Sequence, residues 1–333
     1  MNKKKFLIIV SLILLFMSAV TIASDLIIES KSQTYSEKDS LIKFLGDVKV
    51  HYDDIVILGD KADVSVTPDN KLDTATFYDQ PYAYQIQNNK KREVKANILK
   101  LSLLNKILRA EGNTQTIVTE GKTPIAIINS DTQEYDTNTN IMTAIGTVSI
   151  KYKDLTTFSD KAVVHTEKGG ELDRIDLYGH AKVDETKHHA VADHFIYNAK
   201  TDEMTAIGHT MTKTITDSGS EFKITARHQN YDKKNNVFMG NGVVQVWYED
   251  YYGKAPKVTC YPDKQTKKIN EIFMIGRSMI RQNEKEIHAD KIKMIVDPKS
   301  FEAVGNVRTT IKDLGSDSAK GKGNNKDKSG GFL

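Results

Sequence analysis

One short pattern returns along almost the whole chain and constrains the fold more than any other feature. It has an apolar residue before a glycine and alternating β-branched residues after it, as in AIGTVSI at 144–150. Counting one copy with Asp79 in place of glycine, successive anchors are 29 to 34 residues apart. Self-similarity at this period is typical of stacked repeats, in which no unit can bury its apolar face alone. The glycines are Gly46, Gly112, Gly146, Gly179, Gly208, Gly242, Gly276 and Gly305.

A second motif lies between successive glycines. It is an Ala or Ser that often follows Lys or Asn and often precedes Asp, as at 61–63, 95–97, 129–131 and 288–290. Each repeat therefore contains two strands, and the spacing predicts an all-β stack from 24 to 312.

The glycine marks a change in strand phase. Ile145 and Val148 are both apolar but lie three positions apart, which breaks the alternation of a regular strand. A strand glycine at such a position predicts a β-bulge or corner. The alternative, a glycine in an ordinary hairpin turn, is disfavoured because β-branched residues follow it instead of loop residues.

Apolar residues of the repeated strands are predicted to line the inside of the stack. Small residues recur at neighbouring inward positions, such as Ala110, Ala144 and Ala206, and they would leave room along the axis. This pattern leaves open whether the interior is a lipid-binding trough or a packed core. The candidate lining residues are Val48, Val50, Ile145, Val148, Ile150, Phe195, Ile207 and Val304.

The two ends of the chain differ from the repeats. Residues 1–23 have a basic start and an apolar run, which indicates a secretory signal peptide, although an uncleaved membrane anchor stays open. Residues 313–333 are rich in Gly, Ser, Lys and Asp and are predicted to be a disordered tail. With 47 basic and 44 acidic residues, the chain has no basic excess that would indicate nucleic-acid binding. Its single cysteine, Cys260, excludes an internal disulfide.

Chemistry-bearing residues do not interrupt the repeat. An enzyme needs a nucleophile with its base, paired carboxylates or a ligand cluster, and no such group stands out, so we predict neither an enzyme nor a cofactor. Histidines at 180, 188, 189, 194 and 209 are the nearest approach to a metal signal. We interpret them as polar residues of the repeat, because Asp47, Asn113 and Thr147 take the equivalent place after other glycines.

Together these motifs make the chain resemble the OstA-like (LptA) family of periplasmic lipopolysaccharide-transport proteins. The best copies are 44–66, 144–164, 177–197 and 303–310. The resemblance implies a stacked-repeat twisted β-jellyroll, β-solenoid-like and open along one side, whose apolar groove holds the acyl chains of lipopolysaccharide. It also implies a periplasmic location and same-fold partners at the inner and outer membranes. At this length, one unit or two in tandem are both compatible with the pattern.

The predicted function is therefore to shield acyl chains and to bridge the two membranes. Unpaired edges near 27–35 and 306–311 are expected to add a strand from a same-fold partner or from a second copy. Two alternatives remain at this point: a structural or adhesive β-solenoid with a closed core, and a membrane-anchored component resembling LptC.

Overall fold

The structure, a computed structural model, describes residues 26–216, 219–266 and 268–312. The described residues form β-strands joined by turns, with no helix among them. The predicted signal peptide and tail lie outside the described residues. The strands are β1 (Leu26–Glu29), β2 (Ser32–Ser36), β3 (Leu41–Tyr52), β4 (Ile55–Val66), β5 (Leu72–Tyr78), β6 (Tyr82–Gln87), β7 (Lys90–Lys95), β8 (Ile98–Ser102), β9 (Ile107–Glu120), β10 (Thr123–Asp136), β11 (Ile141–Tyr152), β12 (Leu155–Thr166), β13 (Leu172–Glu185), β14 (His188–Asn198), β15 (Glu203–Ile215), β16 (Glu221–Asp232), β17 (Val237–Tyr248), β18 (Tyr251–Pro262), β19 (Ile269–Gln282), β20 (Lys285–Ile295), β21 (Ser300–Val304) and β22 (Arg308–Ile311).

All the described strands belong to one antiparallel sheet in which most chain neighbours pair. Four positions in the sheet hold two short strands each: β1 with β2, β5 with β6, β7 with β8, and β21 with β22. The 22 strands therefore fill 18 positions. This order is a meander of hairpins, and it confirms the predicted all-β, stacked-repeat β-jellyroll.

A bulge bends alternate long strands near their middle, at the repeat glycine. On β11, Gly146 and Thr147 stand between Ile145 and Val148, whereas only Asp160 stands between their partners on β12. Gly146 and Thr147 have φ values of 80° and 46°, so both lie in the left-handed region. The prediction of a bulge at the repeat glycine is confirmed, and the hairpin-turn alternative is wrong.

Two constraints explain the glycine at position 146. Its φ is unfavourable for any residue with a Cβ, and an added Cβ would collide with the carboxylate of Asp131 on the neighbouring strand. Gly112 is under the same constraint, since an added Cβ would lie 2.6 Å from the side-chain nitrogen of Asn97. The copy without glycine also adopts left-handed backbone at the corner. Asp79 and Gln80 have φ values of 65° and 63°, and the strand is interrupted there, which gives β5 and β6.

The bend divides the sheet into two layers that pack face to face. We call layer I the half that contains the turns at 66–72, 102–107, 166–172 and 232–237, and layer II the half that contains the turns at 52–55, 87–90, 152–155 and 185–188. Each buried cluster draws residues from both layers, as with Phe44 of layer I and Val50 of layer II. The core is thus a continuous sandwich between the layers. The bulges form its corner, and the two rows of turns face each other along the opposite side, which we call the seam.

Candidate functional site

The candidate site is the interior between the two layers. Five of the predicted lining residues point into it and are at most 2% exposed: Val48, Val50, Val148, Ile150 and Phe195. The small residues Ala110, Ala144 and Ala206 are also buried there, as the sequence predicts. Whether these side chains contact lipid stays a prediction.

Three of the predicted lining residues face outward, so their inward placement is wrong. Ile145 is 51% exposed and Val304 is 52% exposed, and Ile207 is half-buried on the outer side of the corner. The predicted change of strand phase at the glycine is also wrong, because the buried residues of β11 keep one alternation through the bulge, at 142, 144, 148 and 150. The bulge places two residues opposite one and leaves this alternation unchanged, so the inward residue before the glycine is the one two positions earlier, as in Ala144 and Ala206.

An internal cavity of about 90 Å³ lies between the layers beneath the seam. Phe195, Met204 and Phe238 line it from layer I, and Leu155 and Val183 line it from layer II. Sequence reasoning identified only Phe195 among these. The others could not be found from the repeat, because cavity walls depend on which strands of the two layers come to face each other.

Polar groups line the seam side of the same cavity. Lys233 of layer I donates to Glu185 at 2.7 Å and to Asp154 at 3.1 Å, both in layer II. His188 lies beside them, and Nδ1 of its ring is 2.9 Å from the hydroxyl oxygen of Thr214. We call the contact of Lys233 with Asp154 and Glu185 the seam latch. It holds the two layers together at the mouth of this apolar cavity.

The three charged groups of the seam latch are partly buried and shift one another's pKa values. The hydrogen bond with Glu185, followed by that from Lys233, lowers the pKa of Asp154 to about 2. Burial, followed by the hydrogen bond with Asp154, raises the pKa of Glu185. Burial lowers the pKa of Lys233, but the hydrogen bonds to the two carboxylates outweigh it and the net shift is upward. Burial also lowers the pKa of the neighbouring His188.

Other contacts cross the seam elsewhere along the stack. Tyr52 donates to the carbonyl of Leu103 at 2.9 Å. Ion pairs join Lys106 to Asp53 at 3.2 Å, Lys90 to Glu171 at 2.6 Å, and Lys299 to Glu249. The seam is therefore bridged at intervals by side chains, whereas the corner is closed by continuous backbone. Separation of the layers would occur at the seam.

The histidines do not form a metal centre in the part of the chain that the structure describes, where no suitable group of ligands is found. His180 and His209 follow bulge glycines and are each 2.8 Å from a carboxylate oxygen, that of Asp160 and of Asp193 respectively. They lie on β13 and β15, with β14 between them, so they do not occupy adjacent strands. Within those same residues, no helix is long and apolar enough to cross a membrane.

Fold and interior together define a repeat β-jellyroll, in which two layers of one antiparallel sheet enclose an apolar interior. The profile of the family described as LptA/(LptD N-terminal domain) LPS transport protein matches residues 27–123 and again residues 127–222. The chain belongs to this family of lipopolysaccharide-transport proteins, as the sequence motifs predict.

Among solved structures, the chain is similar to the crystal structure of LptH from Pseudomonas aeruginosa, the LptA-homologous periplasmic component of a lipopolysaccharide transport device. The identity is 14%, the TM-score is 0.33, and the match covers 37% of this chain and 82% of LptH. No curated protein matches the chain.

Proposed function

We propose that this protein carries lipopolysaccharide through the periplasm by holding its acyl chains between the two layers. The observation that carries this proposal is the cavity beneath the seam, whose walls come from both layers and are mainly apolar. Each CH₂ group moved from water into such a space contributes about 0.8 kcal/mol, so acyl chains supply the affinity without any energy source in the protein.

Acyl chains would enter from the seam. A volume of about 90 Å³ holds only part of an extended chain, so binding requires the layers to move apart. The sheet permits this movement because the corner carries the backbone connections, while side-chain contacts such as Lys233 with Glu185 cross the seam. The buried apolar side chains of the other strands continue the acyl-chain path between the two ends of the stack.

Bridging of the membranes would use the two end positions of the sheet. In the described residues, β1 and β2 pair only with β3, and β21 and β22 pair only with β20, which leaves one edge of each free. Ile27 and Val307 on these edges are 53% and 51% exposed. Unpaired edges of this kind add strands from partners. Same-fold proteins at the inner and outer membranes are the partners we propose, and the location that this implies is the periplasm.

Site-directed photo-crosslinking tests lipid binding. A small aliphatic diazirine residue at Val148 or Phe195 should capture lipopolysaccharide during transport. The matched control is the same residue at Ile145, which lies on the same strand as Val148 but faces solvent. Equal capture at Ile145 and Val148 would contradict an internal lipid site.

A structural β-solenoid is the second candidate, because most of the interior is filled. Two other cavities described between the layers have volumes of only about 20 Å³ and 10 Å³. This candidate predicts that added lipopolysaccharide leaves the melting temperature unchanged and that no interior position captures lipid. The transport proposal predicts capture at Val148 and Phe195 and a melting temperature that rises with lipid concentration.

A further inference from the structure

The outer face of layer II carries an aromatic pair with a cation on each side. Trp247 on β17 lies directly opposite Tyr252 on β18, and their ring centroids are 5.5 Å apart. Lys223 on β16 lies opposite Trp247, and its Nζ atom is 4.3 Å from the centre of the indole ring. Arg281 on β19 lies opposite Tyr252, and its Cζ atom is 5.2 Å from the centre of the phenol ring. The four side chains therefore form one row across four neighbouring strands.

This row is held in place by its own contacts. The cations pack near the rings, and the Tyr252 hydroxyl donates to Oε1 of Gln245 at 3.3 Å. Both aromatic residues of the row are half-buried on the sheet surface. Side chains that are already held lose little conformational freedom when a ligand binds. Because neither ring protrudes, the row suits a ligand that lies along the sheet better than insertion into a bilayer.

Two further lysines give this surface an excess of positive charge. Lys213 lies opposite Lys223, and Lys254 lies beside Tyr252 on the same face of β18. Of the four cations, Lys213 alone has a carboxylate of the described residues within ion-pair distance, that of Glu221 at 3.3 Å. Opposed like charges destabilise a sheet, so their presence favours an anionic partner. We call these six residues the rim patch: Lys213, Lys223, Trp247, Tyr252, Lys254 and Arg281.

Other carboxylates near the rim patch have partners of their own. Glu286 lies opposite Arg281, but its Oε1 atom is 2.7 Å from Nε2 of His288. In the β17–β18 turn, Glu249 pairs with a lysine of layer I, and Asp250 accepts a hydrogen bond from a glutamine of β19 at 2.8 Å. These contacts leave the cations of the patch available to a ligand.

The rim patch lies on the outer side of a wall of the apolar cavity. Thr212 and Thr214 of β15 line that cavity, and Lys213 between them points to the opposite face. Trp247 and Tyr252 are the outward pair next to the turn at 248–251, which places them at the edge of the seam. An amphiphile whose chains enter at the seam leaves its head group at this edge.

The aromatic pair does not follow from the repeat. The positions 96 residues earlier hold the opposed pair Lys151 and Thr156. The positions 196 residues earlier hold the opposed pair His51 and Val56. The two matches to the family profile end at residue 222, before the aromatic pair. The rim patch is thus a feature of the last third of this chain.

We propose that the rim patch binds the anionic sugar head group of the amphiphile whose acyl chains lie between the layers. This inference rests on the proposed function and adds a polar subsite to it. Phosphate or carboxylate oxygens accept charge-assisted hydrogen bonds from Lys223 and Arg281. The C–H groups of sugar rings pack against the negative faces of the aromatic rings. From Lys213 to Arg281 the patch spans four strand spacings, about 19 Å at about 4.8 Å each, which suits linked sugars better than a single ion.

Fluorescence of Trp247 tests the proposal directly. The chain has a single tryptophan, so tryptophan emission of the full-length protein reports on the rim patch. The probe is fully deacylated lipopolysaccharide, which keeps the phosphorylated sugars and has no acyl chains. We expect a saturable change in emission. Added salt should weaken the binding, because the cations of the patch are solvent-accessible.

Charge-removing variants test the role of the cations. Lys223→Gln and Arg281→Gln should each weaken binding about 1.5- to 5-fold, the loss expected for one exposed charge pair. These residues are three strand spacings apart, so their effects should combine to about two- to thirty-fold in the double variant. Lys182→Gln is the matched control. Lys182 also lies over an aromatic ring on the outer face of layer II, that of Phe158 at 5.6 Å, but it pairs with Asp184 at 2.7 Å outside the patch. A loss as large in this control would overturn the assignment.

Further probes separate a sugar site from other anionic partners. Tyr252→Leu keeps an apolar side chain but removes the aromatic face, so it should weaken binding of deacylated lipopolysaccharide while leaving the melting temperature close to the native value. Native affinity in this variant would overturn the sugar contact. An equal response to inorganic phosphate would reduce the patch to general attraction of anions and overturn the proposal. An equal response to vesicles of phosphatidylglycerol, an anionic lipid without a sugar ring, would instead assign the patch to a membrane surface.

Failure of this inference is distinguishable from failure of the proposed function. Without a saturable change in Trp247 emission, the head-group site is wrong, whereas capture of lipopolysaccharide at Phe195 would still support acyl-chain binding. A change in Trp247 emission without capture at Phe195 would contradict the lipid-binding proposal and leave an external site for anionic sugars.

Discussion

Removal of the Lys233 ammonium should make the interior easier to enter. Lys233 joins Asp154 and Glu185 across the seam, directly over the cavity that we propose for acyl chains. The Lys233→Met variant keeps an unbranched side chain of similar length but cannot pair with either carboxylate. We therefore expect faster uptake of acyl chains and a lower stability of the closed form.

The magnitude follows from the burial of the latch. The side chains of Lys233 and Glu185 are 30% and 17% exposed, whereas that of Asp154 is 52% exposed. Exposed ion pairs contribute about 0.2–1 kcal/mol, and removal of one partner of a buried pair costs about 3–5 kcal/mol. A value of about 2 kcal/mol is reasonable between these limits after solvent screening. It corresponds to an increase of about 30-fold in the population of separated layers at the seam.

Stopped-flow uptake of a fluorescent fatty acid that brightens in apolar surroundings measures this effect. Lys233→Arg should retain the latch and the native rate. Lys106→Met is the matched control, because it breaks a similar seam pair with Asp53 that does not line the cavity. The reasoning is refuted if Lys233→Met takes up the probe at the native rate, or if Lys106→Met accelerates uptake equally.

Two further predictions concern the bulge and the titration of the latch. Gly146→Ala should lower the free energy of unfolding in urea by about 2 kcal/mol or more, since its φ is positive and its new Cβ would collide with Asp131. Gly121→Ala should cost less, because its φ is also positive but nothing lies within 4 Å of an added Cβ, and equal losses would contradict the collision. Glu185→Gln should raise the urea midpoint at pH 7, because burial raises the pKa of Glu185 and its ionised form therefore destabilises the folded state. That gain should shrink as the pH falls through the raised pKa of Glu185 and vanish below 4.5, the ordinary glutamate pKa, where the carboxyl is protonated in both the folded and the unfolded state. A gain that persists below this pH would contradict the sign.

Part of the candidate site was predictable from the sequence because strand alternation is a local property. Val148, Ile150 and Phe195 are buried as the pattern predicts. Ile145 and Val304 were predicted to point inward, and they do not, because apolar character alone does not reveal that the bulge leaves the strand alternation unchanged. The seam latch carried no sequence signal: Lys233 is 48 residues from Glu185 and 79 from Asp154.

The sequence by itself determined the repeat, the all-β class, the family and the corner at each glycine, because each depends on residues within a few positions of one another. The periodic apolar faces require stacking, and the repeat glycines permit the left-handed bulge that bends alternate long strands. Only the tertiary structure decided which turns of the two layers meet, and hence where Lys233 crosses the seam and where the cavity lies. These contacts depend on the accumulated bend and twist of many strands, which no local pattern records.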